Sequence, residues 1–218
     1  MNRTTIVNFA LREYGEATSP AHFGGTTPVI AWLNDVKRQF EIEAKIYFGT
    51  VRHGGTTGIT AGQRIATIPT SMFSPQFVRY KGNYLTKTTR TELIGEEANS
   101  AFMSATGTPS NWYIPEGFNG IGVYPIPKAG AGGTLVVEGY RTSADLTTGS
   151  AIPSFPPQYH RALVAGLKLR FAEEDNDNAR SQAATAKAAA EWQRYVMAAT
   201  RESWPNKPRL IVHGNWGR

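Results

Sequence analysis

Four histidines, His22, His53, His160 and His213, are the side chains best suited to proton or metal chemistry near neutral pH. None sits in an H-E-x-x-H or other paired metal spacing. His160, near the start of a helical stretch, reads as structural or solvated. The chain has no cysteine, which excludes disulfides, thiolate nucleophiles and Cys-ligated zinc. Glu96-Glu97 and Glu173-Glu174 are adjacent carboxylates, and neighbours along a helix point in different directions. A glycosidase needs two acids converging across a cleft, and nothing in the spacing supplies them. Gly130-Ala131-Gly132-Gly133 follows Pro-Ile-Pro-Lys and precedes a strand. It lacks the strand-turn-helix setting of a phosphate loop and reads as a turn. No catalytic set, cofactor site or metal site is expected.

Binding chemistry has two candidate seats. Aromatic residues gather in the middle of the chain, at Phe77, Tyr80, Tyr84, Trp112, Tyr113, Tyr124 and Tyr140. They serve either as sheet packing or as a stacking platform for sugars or single-stranded nucleic acid. For the latter, Arg79, Lys81 and Arg141 are a thin supply of cations. The second seat is the C-terminus. The net charge is +6, and half of that excess lies in residues 203–218, which hold Lys207, Arg209 and Arg218 and no acid. The description that fits is a basic tail, not a basic domain.

Elements must position these groups. Thr4-Thr5 with Ile6, Phe9 and Ala10 predicts a short capped helix stopped by Gly15. Thr27-Pro28 predicts a second start, with Thr as N-cap and Pro at the first helical position. Val29, Trp32, Leu33, Val36, Phe40, Ala44 and Tyr47 then form an apolar stripe ended by Gly49. From Val51 to Gln63, Gly and Thr dominate and predict a loop or hairpin tip. Strands are expected at Arg64–Pro69, at Phe77–Tyr80 with a Lys81-Gly82-Asn83 turn into Tyr84-Leu85, near Trp112–Ile114, at Gly122–Tyr124, and at Thr134–Arg141. Thr89-Arg90-Thr91-Glu92 fits a capping box ahead of a short helix. Short runs spaced by turns predict an antiparallel sheet.

After Ile152-Pro153, proline leads into a helix with Tyr159, Leu163, Leu167 and Phe171 on one face. Asp175–Asn178 breaks it and can cap an alanine-rich helix running to Tyr195, Val196 and Ala199. The fold class is α+β. The helical bundle draws on 1–50 and 151–202, a β-rich insertion occupies 51–150, and 203–218 is an extended tail. No window reaches the ~18 apolar residues of a membrane span. The N-terminus lacks the apolar core of a signal peptide, so Sec export is not expected.

The order of these pieces resembles the head-to-tail adaptor (connector) proteins of tailed bacteriophages, including the tubular adaptor of short-tailed phages. The resemblance covers roughly 28–202. It is carried by Trp32-Leu33-Asn34-Asp35-Val36, Ile68-Pro69, Gly82-Asn83-Tyr84-Leu85, Gly107-Thr108-Pro109 before Trp112-Tyr113, Val123–Pro127, and Gly133–Val137 running into Tyr140-Arg141. It implies a non-enzymatic virion protein of the phage neck, assembled in the host cytoplasm as a ring, a dodecamer in that family. It also implies portal and downstream tail or nozzle partners, and viral DNA passing through the lumen without sequence-specific contacts. In that frame Trp204, Arg209, Leu210, Ile211, Val212, His213 and Trp216 would dock on the portal. The Leu210–Val212 run could add to a sheet edge of the partner. Ala183, Ala186, Ala190 and Met197 would meet the next subunit. The alternatives are a tail-associated glycan hydrolase or a glycan-binding module built on the aromatic insertion.

Overall fold

The computed structural model describes residues 1–15, 20–46, 48–53, 59, 61–68, 71–96, 102, 104–116, 120–128, 133–175 and 178–202. Its architecture is α+β, and the chain divides into two units. One joins Met1–Ile46 to the chain from Ala144 onward, and the other is Tyr47–Ser143.

The first unit is helical. Helix α1 spans Arg3–Tyr14, and its cap is Asn2, ahead of the expected Thr4-Thr5: Asn2 Oδ1 accepts from the Thr5 amide at 2.9 Å. Gly15 ends it at φ 94, a left-handed angle that suits glycine. Helix α2 spans Thr26–Ala44 and begins one residue before the expected Thr27 cap. Gly25, at φ 99, is the N-cap and offers no side-chain bond. Pro28 therefore stands third in the helix, still within the turn whose N–H groups have no intrahelical partner. The helix stops at Ala44, where Lys45 turns left-handed at φ 48. Gly49, the expected stop, instead lies inside a strand.

A short 3₁₀ turn, Pro157–Tyr159, leads into α4, His160–Glu174, and α5 follows at Asn178–Glu202. Helix α4 is the hub, packing on α1, α2 and α5. Ten of its residues are buried, including the expected Leu163, Leu167 and Phe171, and Tyr159 is buried just before it. Gly166 makes this density possible. A methyl group there would overlap Val36 Cγ1 and lie 2.8 Å from Trp192 Cζ3. Phe23 stacks on Phe171 at 4.4 Å between centroids, and Phe40 meets Phe155 and Trp192 edge-on or tilted.

The second unit holds the sheets. Strand β1 is Phe48–His53, so the expected loop from Val51 loses its first residues to a strand. The others are β2, Ile65–Thr67; β3, Met72–Tyr80; β4, Asn83–Tyr84; β5, Thr86–Lys87; β6, Thr106–Gly107; β7, Asn111–Tyr113; β8, Gly120–Tyr124; β9, Ile126–Pro127; and β10, Leu135–Arg141. They form sheets ordered β1-β10-β3-β4 and β2-β8-β7-β5, with β6-β9 as a separate pair. Most pairings are antiparallel, as expected. The β5–β7 and β6–β9 pairs are parallel, a departure no alternation pattern announces because each is only two residues long. Lys81 at φ 49 and Gly82 at φ 89 make the expected β3–β4 turn, both left-handed as a tight hairpin requires. Pro75 sits opposite Gly139, where the β3–β10 register shifts. A side chain at 139 would strike the backbone of Ser74 and Pro75.

The two larger sheets share one core: Met72, Val78, Tyr80, Leu135 and Val137 meet Ala66, Trp112, Ile121 and Val123. Strand β8 is buried along its whole length. Its other face joins Leu93 of α3, Phe102 and Tyr113 in a second cluster through Tyr124. Helix α3, Arg90–Glu96, starts on the expected capping box. The Glu92 amide donates to Thr89 Oγ1 at 3.1 Å, and the Thr89 amide donates back to Glu92 Oε2 at 2.7 Å.

Candidate interaction surfaces

The residues considered for catalysis do not converge. His160 is buried, with Nε2 3.1 Å from the Phe155 carbonyl and Nδ1 2.6 Å from the Met1 amine. A neutral ring satisfies both contacts, donating from Nε2–H and accepting at Nδ1. Burial pushes its pKa down, the Phe155 carbonyl opposes that, and the terminal ammonium adds to it. His22 is exposed and packs edge-on to Phe23. Glu173 pairs with Arg170 at 2.9 Å on the surface. His213, Glu97 and Gly130–Gly132 lie outside the described residues, as do the side chains of His53 and Glu96. Among the described residues no three His, Cys, Asp or Glu groups gather as a metal site would need, and no helix is long and apolar enough to cross a membrane.

The aromatic residues divide by burial. Tyr80, Trp112, Tyr113 and Tyr124 are buried in the sheet cores, and Tyr140 stacks on Phe73 at 6.5 Å. Only Phe77 and Tyr84 stand out into solvent, touching edge to face at 6.2 Å. Arg79 lies over Tyr84 and pairs with Glu138 of the neighbouring strand. Most of the aromatic set therefore packs the sheets, and a row of rings suited to a sugar chain is not assembled from it.

The helical unit gives more. Lys168 on α4 ties three helices, with Nζ 3.1 Å from Glu13 of α1 and 2.9 Å from Glu191 of α5; Arg161 also reaches Glu13. Burial works against both charges, but the pairing outweighs it: Glu13 is held below the usual carboxylate range and Lys168 above the usual lysine value. Trp192 Nε1 donates to Glu43 Oε2 at 3.0 Å, fixing α5 to α2. Helix α5 thus buries Ala188, Trp192 and Ala199 inward. The expected contact residues Ala183, Ala186, Ala190 and Met197 all lie exposed, and at 100° per residue they fall on the opposite side. The expected portal-docking residues, Trp204, Arg209, Leu210, Ile211, Val212, His213 and Trp216, lie outside the described residues.

Residues 1–210 match the family described as SU10 adaptor protein. The chain belongs to that family. A comparison with curated proteins found no match. Membership in the SU10 adaptor family makes this a bacteriophage adaptor protein and points to a structural role. It implies contact with portal and tail proteins at the virion neck.

Sequence reasoning missed two features of the helical unit. Lys37 and Glu41 are fully buried on α2, and Lys168 organises the bundle. The signal for the first pair was present: Leu33, Lys37 and Glu41 follow at four-residue steps beside the apolar stripe. A helix packed by α4 and α5 together buries a wider arc than one stripe.

Proposed function

We propose that this adaptor assembles as a homo-oligomeric ring, a dodecamer by its resemblance to other connectors, between the portal and the next tail or nozzle component. The observation that carries the reading is the outer face of α5. Ala183, Ala186, Ala190 and Met197 form a line of small apolar side chains left open to solvent, with Met197 53% exposed. The bundle core is already complete on the other side of the helix, so the fold has no use for this line. Small side chains allow close approach of a second backbone, and a cyclic ring needs a heterologous contact of this kind. The tail, with Trp204, Arg209–His213 and Trp216, would reach the portal. The second unit would face the tail component, and viral DNA would pass through the lumen.

The experiment is a native mass measurement of the purified protein with portal protein, using the full chain and a chain ending at residue 202. The full chain is expected to form a complex of portal with several adaptor copies, and the shortened chain to lose it. A complex that survives the deletion would overturn the docking role of the tail. A full chain that never assembles on portal would overturn the ring reading.

A further inference from the structure

Helix α5 carries a second row beside the alanines. Lys187, Arg194 and Arg201 follow one another at intervals of seven residues, and all three are exposed. Arg180 keeps the interval in the sequence, its side chain lying outside the described residues. Seven residues fall just short of two turns, so such a row drifts by only ~20° per step and keeps to one side of the helix. Successive positions stand about 10 Å apart along the axis.

Among the described residues none of the three makes an ion pair, which they share with Arg12, while Arg38 pairs with Asp35, Lys37 with Glu41, Arg161 and Lys168 with Glu13, and Arg170 with Glu173. The one described acidic side chain of α5, Glu191, faces inward to Lys168. Arg201 in the last turn favours the helix dipole, and beyond that a line of like charges in water adds little to the fold and is open to an anionic partner.

We infer that Lys187, Arg194 and Arg201 form a track for the phosphate backbone of double-stranded DNA. The inference rests on the proposed passage of DNA through the assembly and names the side chains that would meet it. A straight row of evenly spaced cations suits a linear polymer of even charge, and duplex DNA carries one phosphate per ~1.7 Å of its axis. Among the described residues the ring beside the row is Tyr195, which is partly buried and lies under Arg194, so no fully exposed ring is offered there for stacking unpaired bases. The contacts are electrostatic and carry no sequence information.

The test is fluorescence anisotropy of the full-length protein with labelled random-sequence duplexes of about 30 base pairs, titrated across roughly 25–200 mM salt. A triple variant, Lys187→Gln, Arg194→Gln and Arg201→Gln, is compared with a control of equal net charge, Arg12→Gln, Lys87→Gln and Lys128→Gln, whose residues are exposed elsewhere. The track variant is expected to lose about tenfold or more in affinity at low salt. Its log–log salt slope should shrink by about 2 to 3, since each phosphate contact contributes about 0.9. The control should bind as the natural chain does. Equal losses in both variants, no loss in either, or tighter binding to unpaired strands than to duplex would overturn the track. Assembly on portal, followed in parallel, is a separate readout. A track variant that assembles normally but has lost DNA affinity is the expected outcome. Failure of the natural chain to assemble would sink the ring while leaving the DNA measurement decisive for the row.

Discussion

Lys37 Nζ lies 3.3 Å from Glu41 Oε2, one turn further along α2, and neither side chain is exposed at all. Removing one partner of such a pair deprives the other charge of this pairing in the bundle core, at a cost of about 3–5 kcal/mol. Replacing both with apolar residues of similar volume removes the need for the pair. Lys37→Met is therefore expected to lower the urea midpoint sharply, and Lys37→Met with Glu41→Leu to recover most of the loss. Urea unfolding followed by tryptophan fluorescence measures it. A double variant no more stable than the single would show that the pair is needed for more than mutual neutralisation.

Gly166 sets the distance between α4 and its neighbours. A methyl group at this position would overlap Val36 Cγ1 and crowd the Trp192 ring. Overpacking of this kind costs about 1–3 kcal/mol, more than the gain in helix propensity from alanine can return. Gly166→Ala should lower the melting temperature, and Val36→Ala should lower it separately by leaving a void. Combined, the new methyl enters the space the valine vacates, so the double variant should lose less than the two losses added. Strict additivity in that cycle would mean the crowding is relieved by backbone movement instead.

Acid should destabilise the helical unit in two stages. His160 has its folded pKa pushed below the ordinary 6.5 by burial. The unfolded chain therefore takes up a proton first as pH falls. Its contribution is complete above 6.5 and drains away below it. Glu13 loses its contribution lower down, below its ordinary 4.5, because Lys168 and Arg161 overcome the burial that opposes its charge. Lys168, held above its ordinary 10.5, loses its share only as pH rises past that value. Melting temperature should therefore be level from 6.5 up to 10.0, above which the buried Tyr80 and Tyr113 begin to lose their contribution, and fall first on the acid side. His160→Gln should reduce the drop between about pH 7.5 and 5.5 and leave the lower stage intact. An unchanged upper stage in that variant would assign it to another group.

How far these features could be read from the sequence depends on how local their causes are. The Thr89–Glu92 box, the Lys81-Gly82 turn and the Tyr159-Leu163-Leu167-Phe171 face each follow from residues within a few positions, and each stands where expected. The start of α2 was misplaced because Gly25 caps by backbone angle alone, which no side chain announces. The parallel β5–β7 pairing and the burial of β8 on both faces depend on neighbours distant in sequence. The Lys168 link depends on α1 and α5 arriving together. On α5, alanine content signalled a helix with close-packing surfaces. Which alanines face outward became clear only once Trp192 was anchored to Glu43.

That anchoring leads to the last prediction. With Trp192 buried against α2 and α4, the line Ala183, Ala186, Ala190 and Met197 must face solvent in the isolated chain. Exposed alanine and methionine on a helix already completed by its inner face contribute little to stability, so substitutions there should be nearly silent in melting, within about 0.5 kcal/mol. If the same line seats a neighbouring subunit, a charge placed on it is buried without a partner in the assembly, at several kcal/mol per contact. Ala190→Glu and Met197→Asp are therefore expected to melt like the natural chain while failing to form higher assemblies, alone or on portal. Analytical ultracentrifugation and native mass measurement on the same samples separate the two effects. Assemblies of normal size from the folded Ala190→Glu protein would remove this face from the contact. A large fall in melting temperature would instead make the line part of the fold.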